Sequence, residues 1–308
     1  MNIENLLRET LADMAGEEGP PHPDRFLRPV HRPVRRPVHR RGLALVAAAA
    51  VTVLALGSTV AVRTLSEPAP AARHTAAPPA PATTRVTIRP GLRLSDTLKM
   101  LADATGRPVR AFTEAAKGGP ALGLPSYAKG RLEGFAHPGT YDIPTTATPA
   151  EIIASMTARF ARTAQKVGLA AHSAPRDAVI IASIVQAEAR DERDMPKVAR
   201  VIHNRLDSGM GLEVDSTVLY GLGTYGSAAS LRDIRSRSPY NTYRRRGLPP
   251  GPIANPGEAA LRAALNPAPG PWLYFVATDP TRGTLKFAAS QAEFAKLVAE
   301  RARHQKAG

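Results

Sequence analysis

The longest run without a charged residue extends from Gly42 to Val62 and consists mostly of Ala, Val and Leu. At 1.5 Å per residue, a helix over this run just crosses a hydrocarbon layer of roughly 30 Å. Seven arginines lie between Arg25 and Arg41, whereas Arg63 and then Glu67 are the first charges on the other side. That asymmetry predicts a single membrane-spanning helix at 42–62, a basic cytoplasmic tail at 1–41, and the remainder outside the cytoplasm in a cell-membrane protein. A cleaved signal peptide would begin its apolar region nearer Met1 and keep it shorter. Within the tail, Ile3, Leu6, Leu7, Leu11 and Met14 fall at helical spacing, but a frayed terminal tail is the preferred reading.

From 63 to 84 Pro and Ala dominate, the composition of a semi-rigid spacer. Strand-like alternation starts at Val86-Thr87-Ile88, and Arg89-Pro90-Gly91 turns the chain. Ser95 is placed to cap a helix with apolar positions Leu94, Leu98, Leu101 and Ala102. A second helix is predicted from about Val109 to Lys117, and Gly139 to Ile143 reads as a returning strand. Residues 85–145 thus make a small α+β module.

Beyond it, Thr148 and Glu151 form a capping box with Pro149 at the first helical position, predicting a helix to about Val167. The next helix, from about Arg176, has the most apolar interior, with Ala178 to Ala182 followed by Ile184 and Val185. Pro196 opens a helix striped with Val198, Ile202 and Leu206 and closed by Gly209. Asn255-Pro256 is read as the cap of a further helix to about Leu265, and Asp215-Ser216-Thr217 as another cap. Trp272–Ala277 and Thr284–Phe287 read as a hairpin, and Ser290 with Glu293 opens the last helix. Strands and helices do not alternate regularly. The predicted fold class is therefore α+β, the small module being followed by a mixed α/β domain at 146–308.

Composition narrows the chemistry. The 308 residues include no Cys, which excludes disulfides, zinc–thiolate sites and a thiol nucleophile. The net charge of +15 is uneven: residues 1–62 carry +2 and residues 63–308 carry +13. A basic exported region suits a polyanionic neighbour such as anionic lipid or wall polymer, and its topology sets nucleic acid aside. His203 is isolated in a helix and no cluster of metal ligands is visible, so neither a metal nor a cofactor is expected.

Glu188 lies four residues after Ile184 and seven after Ile181, on one helical face. A carboxyl continuing a buried apolar stripe is partly desolvated, which raises its pKa and suits it to donate a proton near neutral pH. Its neighbours Asp191, Glu192 and Asp194 sit in a charged stretch and fit that demand less well. A plainer reading makes Glu188 a solvated helix end paired with Arg190 or Arg193. The second region of interest is the Pro/Gly-dense loop containing Tyr240, Asn241, Thr242, Tyr243 and Asn255. Stiff backbone, amides and aromatic faces are the means by which saccharides are held.

Taken in order, Ile181 to Glu188, Val198 to Leu206, Leu212 to Gly221, Tyr240 to Tyr243 and Trp272 to Ala277 resemble the MltG (YceG-like) endolytic murein transglycosylases, over roughly residues 85–300. The segment from Val86 to Ile143 resembles that family's LysM-like subdomain. The resemblance implies non-hydrolytic cleavage of the bond between N-acetylmuramic acid and N-acetylglucosamine in peptidoglycan, leaving 1,6-anhydro ends and terminating nascent strands. It implies Glu188 as the catalytic residue, with glycan strands as substrate and peptidoglycan synthases as expected neighbours. Asp215, Tyr240, Asn241, Thr242, Tyr243 and Asn255 are the expected substrate-binding residues; Asn241, Thr242 and Tyr243 are placed near the developing charge. Two departures stand out. Gln186 occupies a position where another Glu occurs in some members, and Ala136-His137 replaces bulky apolar residues in the run from Glu133 to Tyr141. An inactive peptidoglycan-binding protein and a hydrolytic muramidase are the alternatives, the latter needing a second carboxylate for which Asp215 is the candidate.

Overall fold

The computed structural model describes residues 82–226, 228–279 and 283–307. The predicted tail, membrane helix and most of the linker lie outside them; among the described residues no helix is long and apolar enough to cross a membrane. The described residues form one compact unit.

Strand β1 (Thr83–Ile88) pairs antiparallel with β2 (Gly139–Pro144), Val86 opposite Tyr141. Between them lie α1 (Leu94–Thr105), α2 (Val109–Ala115) and two 3-10 segments, Ala116–Leu122 and Ser126–Ala128. The predicted strand–helix–helix–strand order is present. Ser95, however, does not cap α1: Arg93 holds the cap position without a side-chain bond, and the carboxylate of Glu133 accepts the Leu94 N–H instead, at 3.0 and 3.2 Å. An acid from across the module supplies what the local hydroxyl was expected to provide.

Helix α3 (Pro149–Lys166) opens with the predicted capping box, Thr148 accepting from the Glu151 N–H at 3.3 Å and Glu151 accepting from the Thr148 N–H at 2.7 Å. Helix α4 (Pro175–Glu188) starts on a proline and is buried at every position from Ala178 to Val185. Around it pack α5 (Met195–Asp207), the short α6 (Asp215–Gly221) and α8 (Glu258–Leu265), while α7 (Leu231–Ile234) is a single turn beside α6. Strands β3 (Tyr274–Asp279) and β4 (Thr284–Ala288) form a separate antiparallel hairpin against α9 (Gln291–Ala307).

The small module and the helices that follow share one continuous core, in which the edge of Phe135 meets Phe160 of α3 at 4.9 Å between ring centres. The boundary expected near residue 145 therefore runs through packed side chains. Asn255 shows why. It was expected to cap α8, but Gly257 takes that place, and Asn255 is fully buried. Its side-chain oxygen accepts from the N–H groups of Gly134 and Ala136 at 3.0 and 3.1 Å, and its amide donates to Leu92 at 3.2 Å. Gly134 has a φ of +89°, and a Cβ there would meet the Pro252 ring at 2.5 Å. Backbone conformation and close approach both demand glycine. Gly134→Ala is expected to destabilise the chain by about 1–3 kcal/mol, read as a lower urea midpoint; an unchanged midpoint would show that the Pro252 loop yields.

Candidate active site

The site forms where α4 leaves the core. Ala189 turns extended immediately after Glu188, and its N–H still bonds the Val185 carbonyl at 2.9 Å, so Glu188 occupies the last helical position. Ile181 and Ile184 are buried behind it, as the spacing predicts. Other side chains of α4 pin the neighbouring loop. The Ser183 hydroxyl accepts from the Ile253 N–H at 3.1 Å, and Gln186 accepts from the Gly257 N–H at 3.0 Å. Gln186 is thereby committed to holding the fold.

Helix α6 closes over the carboxyl. Ser216 faces Glu188 with its hydroxyl and N–H, both of which favour the charged form, while Asp215 opposes it. Burial outweighs them and pushes Glu188 up to about 7. The Ser216 hydroxyl is buried with no other hydrogen-bond partner, which leaves it free to turn toward the carboxyl. The Tyr243 hydroxyl donates to Asp215 at 2.7 Å, and burial with the nearby carboxylates raises its own pKa. Glu188, Asp215, Ser216 and Tyr243 are thus brought together.

The rest of the predicted loop is spent on support. Asn241 is fully buried, its amide donating to the carbonyls of Ile234 and Ser236 at 2.8 and 2.9 Å, and its oxygen accepting from the Tyr243 N–H at 3.1 Å. Thr242 is 2% exposed; its hydroxyl accepts from the Val214 N–H at 3.0 Å and meets the Thr217 hydroxyl at 2.9 Å. Like Asn255, these two side chains make their hydrogen bonds within the fold. A side chain whose bonds are all made internally has nothing left for a ligand. Tyr240 is half-buried at the other end of α6, its ring 4.9 Å from that of Tyr220.

The approach to α6 is held under tension. Glu213 adopts φ +51°, a left-handed conformation that costs a non-glycine residue on the order of 1 kcal/mol. Arg205, 8% exposed, holds it there by donating to Glu213 at 3.0 Å and to the carbonyls of Gly211 and Leu212 at 3.0 and 3.1 Å. Sequence reasoning missed one further acid. Glu133 is pushed up to about 7 by burial, against the bonds from Leu94 and Tyr220 and the charge of Arg93 that favour ionisation. The available signal was an acid set between Leu132 and Phe135, two side chains that are themselves buried. His203 bonds the Ala264 carbonyl through Nε2 at 3.1 Å. A groove of about 570 Å³ between β2 and α3, flanked by Arg159 and Arg162, contains none of the site residues.

A half-buried carboxyl with a raised pKa at a helix exit, faced by a second acid and a hydroxyl, is an arrangement suited to acid–base chemistry. The pattern that defines the YceG-like family matches residues 60–300, and the chain belongs to that family. It is 37% identical over 150 residues to the endolytic murein transglycosylase of Bacillus subtilis (strain 168), covering 47% of this chain and 42% of that one. It is 33% identical over 183 residues to the endolytic murein transglycosylase of Streptococcus pneumoniae serotype 2, covering 57% and 33% respectively. The chain thus spans less than half the length of these curated relatives. Among solved structures it is similar to a YceG-like protein from Listeria monocytogenes, with TM-score 0.62 and 28% identity over 71% of this chain and 76% of that one.

The raised carboxyls set a pH dependence. Below about pH 4.5 Glu188 is neutral in both folded and unfolded chains, and folding bears no penalty. As pH rises to about 7 the unfolded chain ionises first, so stability falls, and above 7 the full penalty of about 3 kcal/mol is present. Glu188→Gln is expected to stabilise the protein at pH 8 by up to that amount and to gain nothing at pH 4.5. Urea unfolding at the two pH values checks this; equal midpoints at pH 8 would mean a hydrated carboxyl.

Proposed function

We propose that the chain is an endolytic peptidoglycan lytic transglycosylase, with Glu188 as its single acid–base residue. The observation that carries this reading is the Glu188 carboxyl at the end of the buried helix α4, enclosed by Asp215 and Ser216 of α6 and pushed up to about 7 by burial. Family membership and the names of the two relatives support the same chemistry.

Glu188 donates its proton to the glycosidic oxygen as the bond to muramic acid C1 breaks, freeing the 4-hydroxyl of N-acetylglucosamine. The muramic acid 6-hydroxyl then closes on C1, and its proton passes to the Glu188 carboxylate. The product is a 1,6-anhydro sugar; no water is consumed, and the enzyme ends in its starting protonation state. Asp215, with its position fixed by Tyr243, lies near enough to stabilise positive charge developing at C1. Tyr240 offers a half-buried ring face for a neighbouring sugar.

The wider setting rests on the sequence. The apolar run at 42–62 and its flanking arginines support a single-pass anchor that leaves the site outside the cytoplasm, where glycan strands are made. In this reading the module at 85–145 is LysM-like, the linker lifts the site off the bilayer, and nascent strands beside peptidoglycan synthases are the substrate. The strand–helix–helix–strand order supports the LysM-like reading.

A second reading has one specific observation in its favour. Asp215 is a second carboxylate near Glu188, as a hydrolytic muramidase would need. Mass spectrometry of fragments released from peptidoglycan by the full-length chain separates the two. The expected products end in anhydro-muramic acid, with release falling on the order of a thousandfold in Glu188→Gln and the same ends, more slowly formed, in Asp215→Asn. Reducing ends that vanish in Asp215→Asn would establish the hydrolase. Glycan binding without cleavage by the native chain would make it a binding protein.

A further inference from the structure

A second half-buried carboxyl, which the proposed chemistry leaves unused, lies at the far end of α6. Glu133 accepts from the Leu94 N–H at 3.0 and 3.2 Å, from the Tyr220 hydroxyl at 3.1 Å and from the Asn255 amide at 3.4 Å. Its donors come from three separate stretches: the first turn of α1, the last turn of α6 and the loop before α8. The charged and titratable groups facing it are Arg93, Tyr220 and Tyr240. Arg93 lies 5.3 Å from the centre of the Tyr220 ring.

Helix α6 has seven residues, too few to hold itself together, so its position is set by what is fastened at its ends. At the start, Thr242 takes the Val214 N–H and Tyr243 takes Asp215. At the end, Tyr220 is bound to Glu133, and Gly221 abuts Ser238 and Tyr240 so closely that a Cβ would fall 2.2 Å from the Ser238 hydroxyl. Tyr220 follows Asp215 by five residues, about 8 Å along the helix. Glu133 is not among the groups acting directly on Glu188, and α6 is an element that reaches both acids, through Tyr220 at one end and through Asp215 and Ser216 at the other.

We infer that Glu133 is a positioning residue for the Glu188 site: by holding Tyr220 it fixes α6 lengthwise, and with it the closeness of Asp215 and Ser216 to the Glu188 carboxyl. The inference rests on the reading of Glu188 as the acid and deepens it. If α6 loosens, water reaches the carboxyl, and burial, the largest influence on Glu188, diminishes.

Two measurements on the full-length chain test this, with Glu133→Gln and Tyr220→Phe as the variants. In protein labelled with carbon-13 at glutamate carboxyls, the Glu188 signal is the one missing from Glu188→Gln. Its titration midpoint is expected to fall by at least about half a pH unit in both variants. Release of glycan fragments is expected to lose on the order of tenfold to a hundredfold in kcat with KM within about twofold.

An unmoved midpoint in both variants would overturn the inference and leave Glu133 as a staple for α1. A midpoint that moves in Glu133→Gln but not in Tyr220→Phe would also overturn it, since charge acting through space would then suffice. So would a raised KM with kcat unchanged, which would place Glu133 on the substrate. Should Glu133→Gln not fold, Tyr220→Phe carries the test alone. If the midpoints move as expected while the native chain releases nothing, the positioning stands and the proposed reaction fails.

Discussion

A helix enclosed on every side has to leave the core somewhere, and the end of α4 is where this protein places its acid. Eight consecutive buried residues, Ala178 to Val185, leave α4 no solvent face along its middle. Exposure begins at Ala187, and Glu188 follows it half-buried. Desolvation there is a product of enclosure, and it outweighs the hydrogen bonds that would draw the carboxyl back to its ordinary range. The enclosing elements are fastened to α4 itself, through Ser183 to Ile253 and through Gln186 to Gly257.

That arrangement opposes the stability of the fold, and the surrounding structure bears the difference. Glu213 is held in a left-handed turn, and Arg205 is buried to hold it. The Arg205 guanidinium also donates to the Leu273 carbonyl at 2.7 Å and lies 5.1 Å from the centre of the Tyr274 ring. Its planar array of donors serves several acceptors at once, which a lysine could not do. The β3–β4 hairpin is thereby connected to the strained turn before α6, although it supplies none of the four side chains gathered there.

What could be read from the sequence was what local chemistry decides. The Thr148–Glu151 box, the apolar face of α4 and the position of Glu188 at its end follow from spacing alone, and the structure has them. Expectations failed where a short polar side chain could bond nearby or far away with equal ease. Ser95 and Asn255 belong to this class. Asn255 joins Gly134, 121 residues distant, rather than the helix that begins three positions later. Glu133 was passed over for the same reason: its three partners are remote in sequence, and only the fold brings them together.

The contact of Phe135 with Phe160 bears on the modularity of the chain. Sequence suggests a small unit joined to a larger one, as though either could be exchanged or removed. Packing forbids this, because a fragment beginning at 146 would lay bare the face of Phe160 that Phe135 covers, together with the place on α4 where Gly134 fits against Val179. Among the described residues, the chain on either side of 145 shares one core. Insertions and graftings that keep both halves intact belong at the surface turns, and the apparent joint is the least forgiving place to cut.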